Sequence, residues 1–294
     1  MSTPFVYLQH RCVIVMQGPD TLKLLERLIT SQTHNWPLGT ARYGALLSPQ
    51  GKIISDFLAL RDAEGVLLDV DRNSADGLVQ KLKMFRMRSD VDIEIASDLL
   101  VLAEPSPAHN QIRPVSGAKY IFLDPRYDQG RLRVFAKTDE WAAWHGPSAA
   151  EWCQPLDAYH TDRTMHGIAE QGFDFENLTV FPADINMDLL GGVDLKKGCF
   201  IGQEVVSRMH RRGNIRKRTM PVRGAGLSPG DPVMAPLPIG EITSMIGNVG
   251  LARMRLDRLA KALNDQAAVS AKDVPIEMVI RDDIKIELDA LTPT

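Results

Sequence analysis

The chain has 294 residues, 44% of them hydrophobic and 24% charged, with a formal net charge of −3. That length excludes one small core and suits two or three domains, and the composition is that of a folded, soluble protein. No apolar run approaches the roughly 20 residues of a membrane helix, which speaks against a membrane partner.

The start, MSTPFVYLQHRCVIVM, carries its first Lys or Arg at Arg11 and alternates like a strand, so it reads as neither signal nor transit peptide. Val6–Gln17 is rich in β-branched residues and predicts a strand. Gly18-Pro19-Asp20 breaks it, and Asp20 is placed to cap a helix over 21–30 with Leu22, Leu25, Leu28 and Ile29 as its apolar stripe. Tyr43–Leu47 and Lys52–Leu60 predict two strands joined by the turn Ser48-Pro49-Gln50-Gly51, and Val66–Val70 a third. Helical periodicity follows over 74–86, then a half-exposed strand over 91–95. Met84 and Met87 read as core fillers beside that helix. Four Pro/Gly positions make 104–119 a loop, followed by strands at Tyr120–Leu123 and Arg131–Phe135. Three of the four tryptophans fall in 138–153, read as one helix or two short ones, and 157–167 reads as helical. Residues 171–195 look irregular, a place for ligand contacts rather than core. A helix is expected after Gly202. From about Arg216 the dense Pro and Gly and short apolar runs, with strands at 240–244 and 248–254, predict a small all-β domain.

Charge is uneven. Lys196–Arg223 holds nine Lys/Arg against one acid, Glu204, in an otherwise acidic chain. Such a stretch suits an anionic ligand, or simply a solvated surface.

Cys12, Cys153 and Cys199 form no disulfide framework, and the odd count fits a reducing compartment, so a cytoplasmic protein is expected. Cys12 and Cys153 sit among apolar residues and read as small hydrophobes. Cys199 lies in KKGCFIGQE, between two glycines that permit a sharp turn, after two lysines and just before the expected helix. Lysine charge and a helix N-terminus both favour the thiolate, so an accessible, reactive thiol is expected. No CxxC and no Cys/His pair at zinc or cluster spacing is present, so no stable metal is expected. No phosphate loop or dinucleotide fingerprint occurs.

Lys197-Gly-Cys-Phe-Ile-Gly-Gln-Glu204 followed by Arg208 resembles the signature K-G-C-[FY]-x-G-Q-E-x-x-x-R of the YgfZ family, folate-binding relatives of the glycine-cleavage aminomethyltransferase. Tyr43–Lys52 (YGALLSPQGK), Phe181–Asn186 (FPADIN), and Ile239–Ser244 through Gly250–Ala252 resemble further stretches of that family. The resemblance implies an α+β, aminomethyltransferase-like fold of two interleaved, ferredoxin-like subdomains plus a C-terminal antiparallel β-barrel. The implied boundaries are 1–50 with 138–215, 51–137, and 216–294. It implies a tetrahydrofolate cofactor facing Arg163, Asp184, Lys197, Arg208 and Asp56, with Cys199 as the reactive thiol. It also implies transient partnership with iron–sulfur enzymes or assembly proteins, tRNA-modifying enzymes among the beneficiaries.

Compared with the aminomethyltransferases, this chain has Ser55-Asp56 in place of two adjacent acids, Asp184 in place of glutamate, Met165 in place of an acid, and Thr30-Ser31-Gln32 in place of T-N-D. These losses remove carboxylates that acid–base chemistry on an aminomethyl group would use. They favour the accessory role over the alternative, a folate-dependent aminomethyltransferase or demethylase with Asp56 or Asp184 as acid/base. Nucleic-acid binding through Arg211–Arg223 ranks last, since no aromatic is interleaved there to stack bases.

Overall fold

The computed structural model describes residues 4–146, 153–211, 213 and 215–291. The chain divides into two compact units, 1–159 with 190–203, and 160–189 with 204–294.

In the first unit, β1 (Val6–Tyr7) and β2 (Arg11–Gln17) precede α1 (Thr21–Leu28). The strands β3 (Ala41–Leu47), β4 (Ile53–Arg61) and β5 (Gly65–Asp71) then lead into α2 (Arg72–Arg86). After it come β6 (Asp92–Ala96), β7 (Leu99–Ala103), β8 (Ala118–Leu123), β9 (Leu132–Lys137) and α3 (Thr138–His145). One antiparallel sheet has the order β3-β4-β5-β2-β6, the other β1-β7-β9-β8. The expected boundary at residue 50 falls inside the β3–β4 hairpin, where Ala45 faces Asp56 and Leu47 faces Ile53. The α1 and α2 stripes (Leu24, Leu25, Leu28; Ala75, Leu78, Leu82) bury against the five-stranded sheet through Ile14, Met16, Phe57 and Leu68.

Helix α2 begins as its sequence dictates, with the Asp71 carboxylate accepting the Ser74 N–H. Asp20 does not cap α1: its carboxylate accepts the Asp90 N–H instead, and ties α1 to the approach of β6. Met84 and Met87 are not core either, being 63% and 85% exposed at the end of α2. Part of the tryptophan-rich stretch, 147–152, lies outside the described residues.

The chain continues through α4 (Leu156–Met165), which spans the division, and a 3₁₀ turn at Pro182–Ile185. Helix α5 (Gln203–Arg211) leads to β10 (Lys217–Arg223), β11 (Pro232–Ala235), β12 (Leu237–Ile246) and β13 (Val249–Arg255). Then come α6 (Leu256–Asn264), β14 (Ser270–Ala271), β15 (Val274–Pro275), β16 (Glu277–Met278) and α7 (Asp282–Asp289). These strands form a seven-stranded antiparallel sheet in the order β15-β14-β11-β12-β13-β10-β16. Its apolar face packs on α6 and α7 through Leu256, Leu259, Ile284 and Leu288. The segment 171–195, expected to be peripheral, supplies buried Phe175, Val180, Ala183, Ile185 and Met187. It is buried because its polar groups are satisfied by β10: Asn186 Nδ2 donates to the Thr219 carbonyl, and the Thr219 hydroxyl donates to the Asp184 carbonyl.

Candidate functional site

The KKGCFIGQE stretch forms a turn pinned on both sides of its cysteine. Before it, Asp194 Oδ1 accepts the backbone N–H groups of Lys196 and Lys197. The Lys197 ammonium turns inward and donates to the carbonyls of Ile29 and Ser31, at 3.0 and 2.8 Å, with Glu26 3.6 Å away. These carbonyls lie just past the end of α1, where unpaired acceptors and the helix dipole favour a cation. Burial pulls the Lys197 pKa below the ordinary lysine value, and Glu26 opposes that pull. Lys197 is therefore an anchor of the turn.

After the cysteine, Phe200 is buried and Ile201 packs on the core of the five-stranded sheet. Gly202 has φ +81°, and a Cβ there would meet the Ser48 carbonyl oxygen at 2.6 Å and Gly51 Cα at 3.1 Å. The two most distinctive stretches of the sequence, KGCFIGQE and SPQGK, thus dock on each other through a backbone approach that only glycine allows. Gly198 has open space around it and no positive φ, so the conformational demand rests on Gly202 alone. Gly202→Ala is expected to lower stability by at least the about 1–3 kcal/mol of a strained left-handed residue, with the overlap adding to it. Gly198→Ala should stay within about 0.5 kcal/mol. Urea denaturation of the two variants checks the contrast. Between these anchors Cys199 is exposed, four residues ahead of Gln203, where α5 begins.

A cavity of about 410 Å³ opens in the same unit, lined by Ser31, Gln32, Arg42, Tyr43, Gly191 and Asp194 among others. Its floor and wall are fixed by the 190–197 loop, since the Thr30 hydroxyl donates to the Gly192 carbonyl and the Asp194 N–H to the Thr30 carbonyl. Arg42 is pinned by the carbonyls of Gln32 and His34 and lies over the Trp36 ring. Tyr43 reaches Asp56 across the β3–β4 pair, its hydroxyl donating to Oδ2 at 3.0 Å. Burial, reinforced by the Asp56 charge, pushes the Tyr43 pKa well above the ordinary phenol value. Asp56 is itself buried behind Tyr43.

Behind Tyr43 runs a chain of buried charges. The Arg126 guanidinium lies 5.3 Å from the Tyr43 ring centroid and makes a two-point pair with Asp124, at 2.9 and 2.7 Å. Arg133 of β9 is 3.2 Å from Asp124 and 3.4 Å from Asp69 of β5, and Asp69 accepts from Arg11 of β2 at 2.7 Å. Three arginines and three aspartates, counting Asp56, thus join the two sheets of this unit.

The remaining predicted residues belong to the second unit. Arg163 is fully buried; its guanidinium donates to Asp174 at 2.6 Å, the Ile168 carbonyl and His160 Nδ1, and sits 5.5 Å from the Phe173 ring centroid. It braces the 160–175 segment. Asp174 in turn accepts from the Ser244 hydroxyl of β12. Asp184 turns its carboxylate back onto the Phe181 N–H of its own 3₁₀ turn, and burial raises its pKa. Arg208 is exposed and paired with Glu204 one turn earlier on α5. The basic stretch is therefore no uniform cationic rim: Lys197 and Arg218 spend their charge inside the fold, and positions 212 and 214 lie outside the described residues.

Within the first unit the structure brings Lys197, the Cys199 turn and, through Tyr43, Asp56 to the surroundings of one cavity. Sequence reasoning missed Arg42, Tyr43, Asp194 and the Arg11–Arg126–Arg133 set. A charged residue on the inward phase of an apolar strand, as Asp69 in GVLLDVD, was the available signal. Among the described residues no group of three His, Cys, Asp or Glu side chains is placed to hold a metal ion, and no helix is long and apolar enough to cross a membrane.

Residues 216–285 match the family described as "CAF17, C-terminal beta-barrel domain". The glycine cleavage system aminomethyltransferase T of Bartonella henselae shares the fold, with a TM-score of 0.70 at 14% identity over 95% of this chain and 85% of that one. The aminomethyltransferase-like α+β fold with a C-terminal antiparallel barrel is thereby established. The mitochondrial iron-sulfur cluster assembly factor IBA57 of Homo sapiens is 27% identical over 90% of this chain and 81% of its own. Its homolog from Phaeosphaeria nodorum is 30% identical over 86% of this chain and 70% of its own. Both are named as mitochondrial, which overturns the expectation of a cytoplasmic protein. That expectation rested on the strand-like start of the sequence and on cysteine usage, which reports a reducing compartment without distinguishing one such compartment from another. At this identity and coverage, the chain belongs to the IBA57 family of iron-sulfur cluster assembly factors.

Proposed function

We propose that the protein is a YgfZ-type, tetrahydrofolate-binding accessory factor for assembly or repair of iron–sulfur enzymes, tRNA-modifying enzymes included, with Cys199 as its reactive thiol. The observation that carries this reading is the pinned turn. Lys197, Phe200 and Gly202 are all held by the fold while the one cysteine between them is left exposed. A thiol so placed is preorganised to meet a partner's cluster or its ligands without ordering its own loop first.

The cavity beside the turn fits part of a folate in size and chemistry. Arg42 and Gln32 offer donors, Asp194 an acceptor, and Tyr43 an aromatic face. Tetrahydrofolate brings ring nitrogens that carry one-carbon units. The chain's own contribution there is binding: Asp194 is engaged by backbone N–H groups, and Asp56 stands behind Tyr43. That arrangement favours a binding role over acid–base turnover.

In cells lacking the protein, Cys199→Ser is expected to leave cluster-dependent enzymes without activity although the variant is folded and abundant. Full restoration by Cys199→Ser would remove the thiol from the reading. Titration with tetrahydrofolate should show saturable binding, weakened about tenfold in Arg42→Ala by loss of charge-assisted donors. Turnover of an N-methyl or aminomethyl substrate, abolished in Asp56→Asn, would assign the transferase alternative instead.

A further inference from the structure

The second unit carries a cavity lined by none of the candidate site residues described above. It measures about 530 Å³ and lies between the β11–β12 connection and α6. One wall is Ala235-Pro236-Leu237-Pro238-Ile239, and the other is Arg258, Lys261, Ala262, Asp265 and Ala267. The first wall is stiff, because two prolines fix their φ angles on either side of Leu237 and β12 pairs with β11 from Leu237 onward. The second wall is the last turns of α6, with 258, 261 and 262 at helical spacing, and the residues that follow the helix. Leu237 is 70% exposed and adds apolar surface at the edge of the groove.

The polar groups are not scattered. Arg258 and Lys261 stand one turn apart, and the Arg258 guanidinium is held at the mouth by donating to the Pro238 carbonyl. Asp265 lies just past the end of α6, so the charged groups run from positive to negative along the groove. An apolar body with one anionic end matches this layout in a single orientation, its head at Arg258 and Lys261 and its tail along Leu237, Ala262 and Ala267. The same gradient disfavours a cationic amphiphile of equal length, and a preformed apolar cavity of this size lies in the range of small-molecule sites.

We propose that this groove is a binding site for a long-chain carboxylate, an apolar chain with a single anionic head. Sodium decanoate, below its micelle-forming concentration, is the probe, with decylammonium as the charge control, on the full-length protein by calorimetric titration. Saturable one-to-one binding of decanoate is expected, with decylammonium binding absent. Lys261→Glu should weaken decanoate about tenfold through loss of a charge-assisted contact. Leu237→Asp should abolish binding. Both positions are exposed, so unchanged thermal unfolding will show that the variants are folded. The proposal is overturned by no saturable decanoate binding, by equal binding of decylammonium, or by affinity unaltered in both variants. Binding of an acidic, apolar peptide in place of decanoate would overturn it too, and would mark the groove as a protein-docking surface.

Discussion

Asp124→Ala lowers the stability of the first unit by about 3–5 kcal/mol, the loss typical of breaking a buried ion pair from one side. Asp124 accepts two hydrogen bonds from the Arg126 side chain and one from its backbone N–H, and also faces Arg133. All three side chains are buried, so alanine leaves Arg126 without its carboxylate and Arg133 sharing Asp69 with Arg11 in a low-dielectric joint. Urea denaturation at neutral pH should show the drop. Glu140→Ala, which breaks the exposed pair with Lys137, should lower stability by less than about 0.5 kcal/mol. Acid gives a second readout. Burial alone would raise the Asp124 pKa, but the charge and hydrogen bonds of Arg126, then Arg133, outweigh it and hold the pKa below the ordinary carboxylate value. A depressed folded-state pKa adds stability that is present above the unfolded pKa, near 4, and lost as pH falls through the folded value. Wild type should therefore lose stability in acid more steeply than Asp124→Ala. Parallel acid profiles would show that the Asp124 charge does not hold the two sheets together.

Why this joint escapes a reading of the sequence is physical. Arg11 and Asp69 are 58 positions apart, and nothing local in RCVIVM or VLLDVD names the partner. Strands β3 to β5 were legible as near-continuous apolar runs bounded by turn signals, and β6 because one buried face imposes a period of two. Helix α2 was legible because its period is reinforced by a working cap. The Asp20 cap was misread because a carboxylate at a helix start has a rival donor in tertiary space, the Asp90 N–H. β7 went unread because Leu99–Ala103 is a five-residue apolar run that periodicity cannot tell from a buried helical fragment. Helix α7 hid in DDIKIELD, whose alternation looks like a strand. The fold uses only Ile284 and Leu288, four apart, and leaves Ile286 exposed. At the site, the exposure of Cys199 was legible, but of its two flanking glycines only Gly202 is demanded by the fold. The role of Lys197 was not, since its acceptors Ile29 and Ser31 lie more than 160 residues away.

The second unit has its own centre of this kind, and a charge-neutral substitution set can separate charge from packing there. Arg218 of β10 is fully buried. It donates to Asp188 at 2.6 and 3.0 Å, to Glu287 of α7 at 2.9 and 2.5 Å, and to the Ala183 carbonyl at 3.1 Å. Burial works against its charge, but hydrogen bonds and attraction from Glu287 and Asp188 hold it protonated. One side chain thus ties β10 to α7 and to the 3₁₀ turn that presents Asp184. Arg218→Met keeps much of the volume and removes the charge, leaving Asp188 and Glu287 facing each other across an apolar group. It should cost about 3–5 kcal/mol. It should also raise amide exchange at 182–187 beyond the global change, since that turn loses a direct tie. Arg218→Met combined with Asp188→Asn and Glu287→Gln removes the stranded charges and should recover most of the loss. If the triple variant is no more stable than Arg218→Met, the cost lies in packing, and the ion cluster does not hold the Asp184 turn in place.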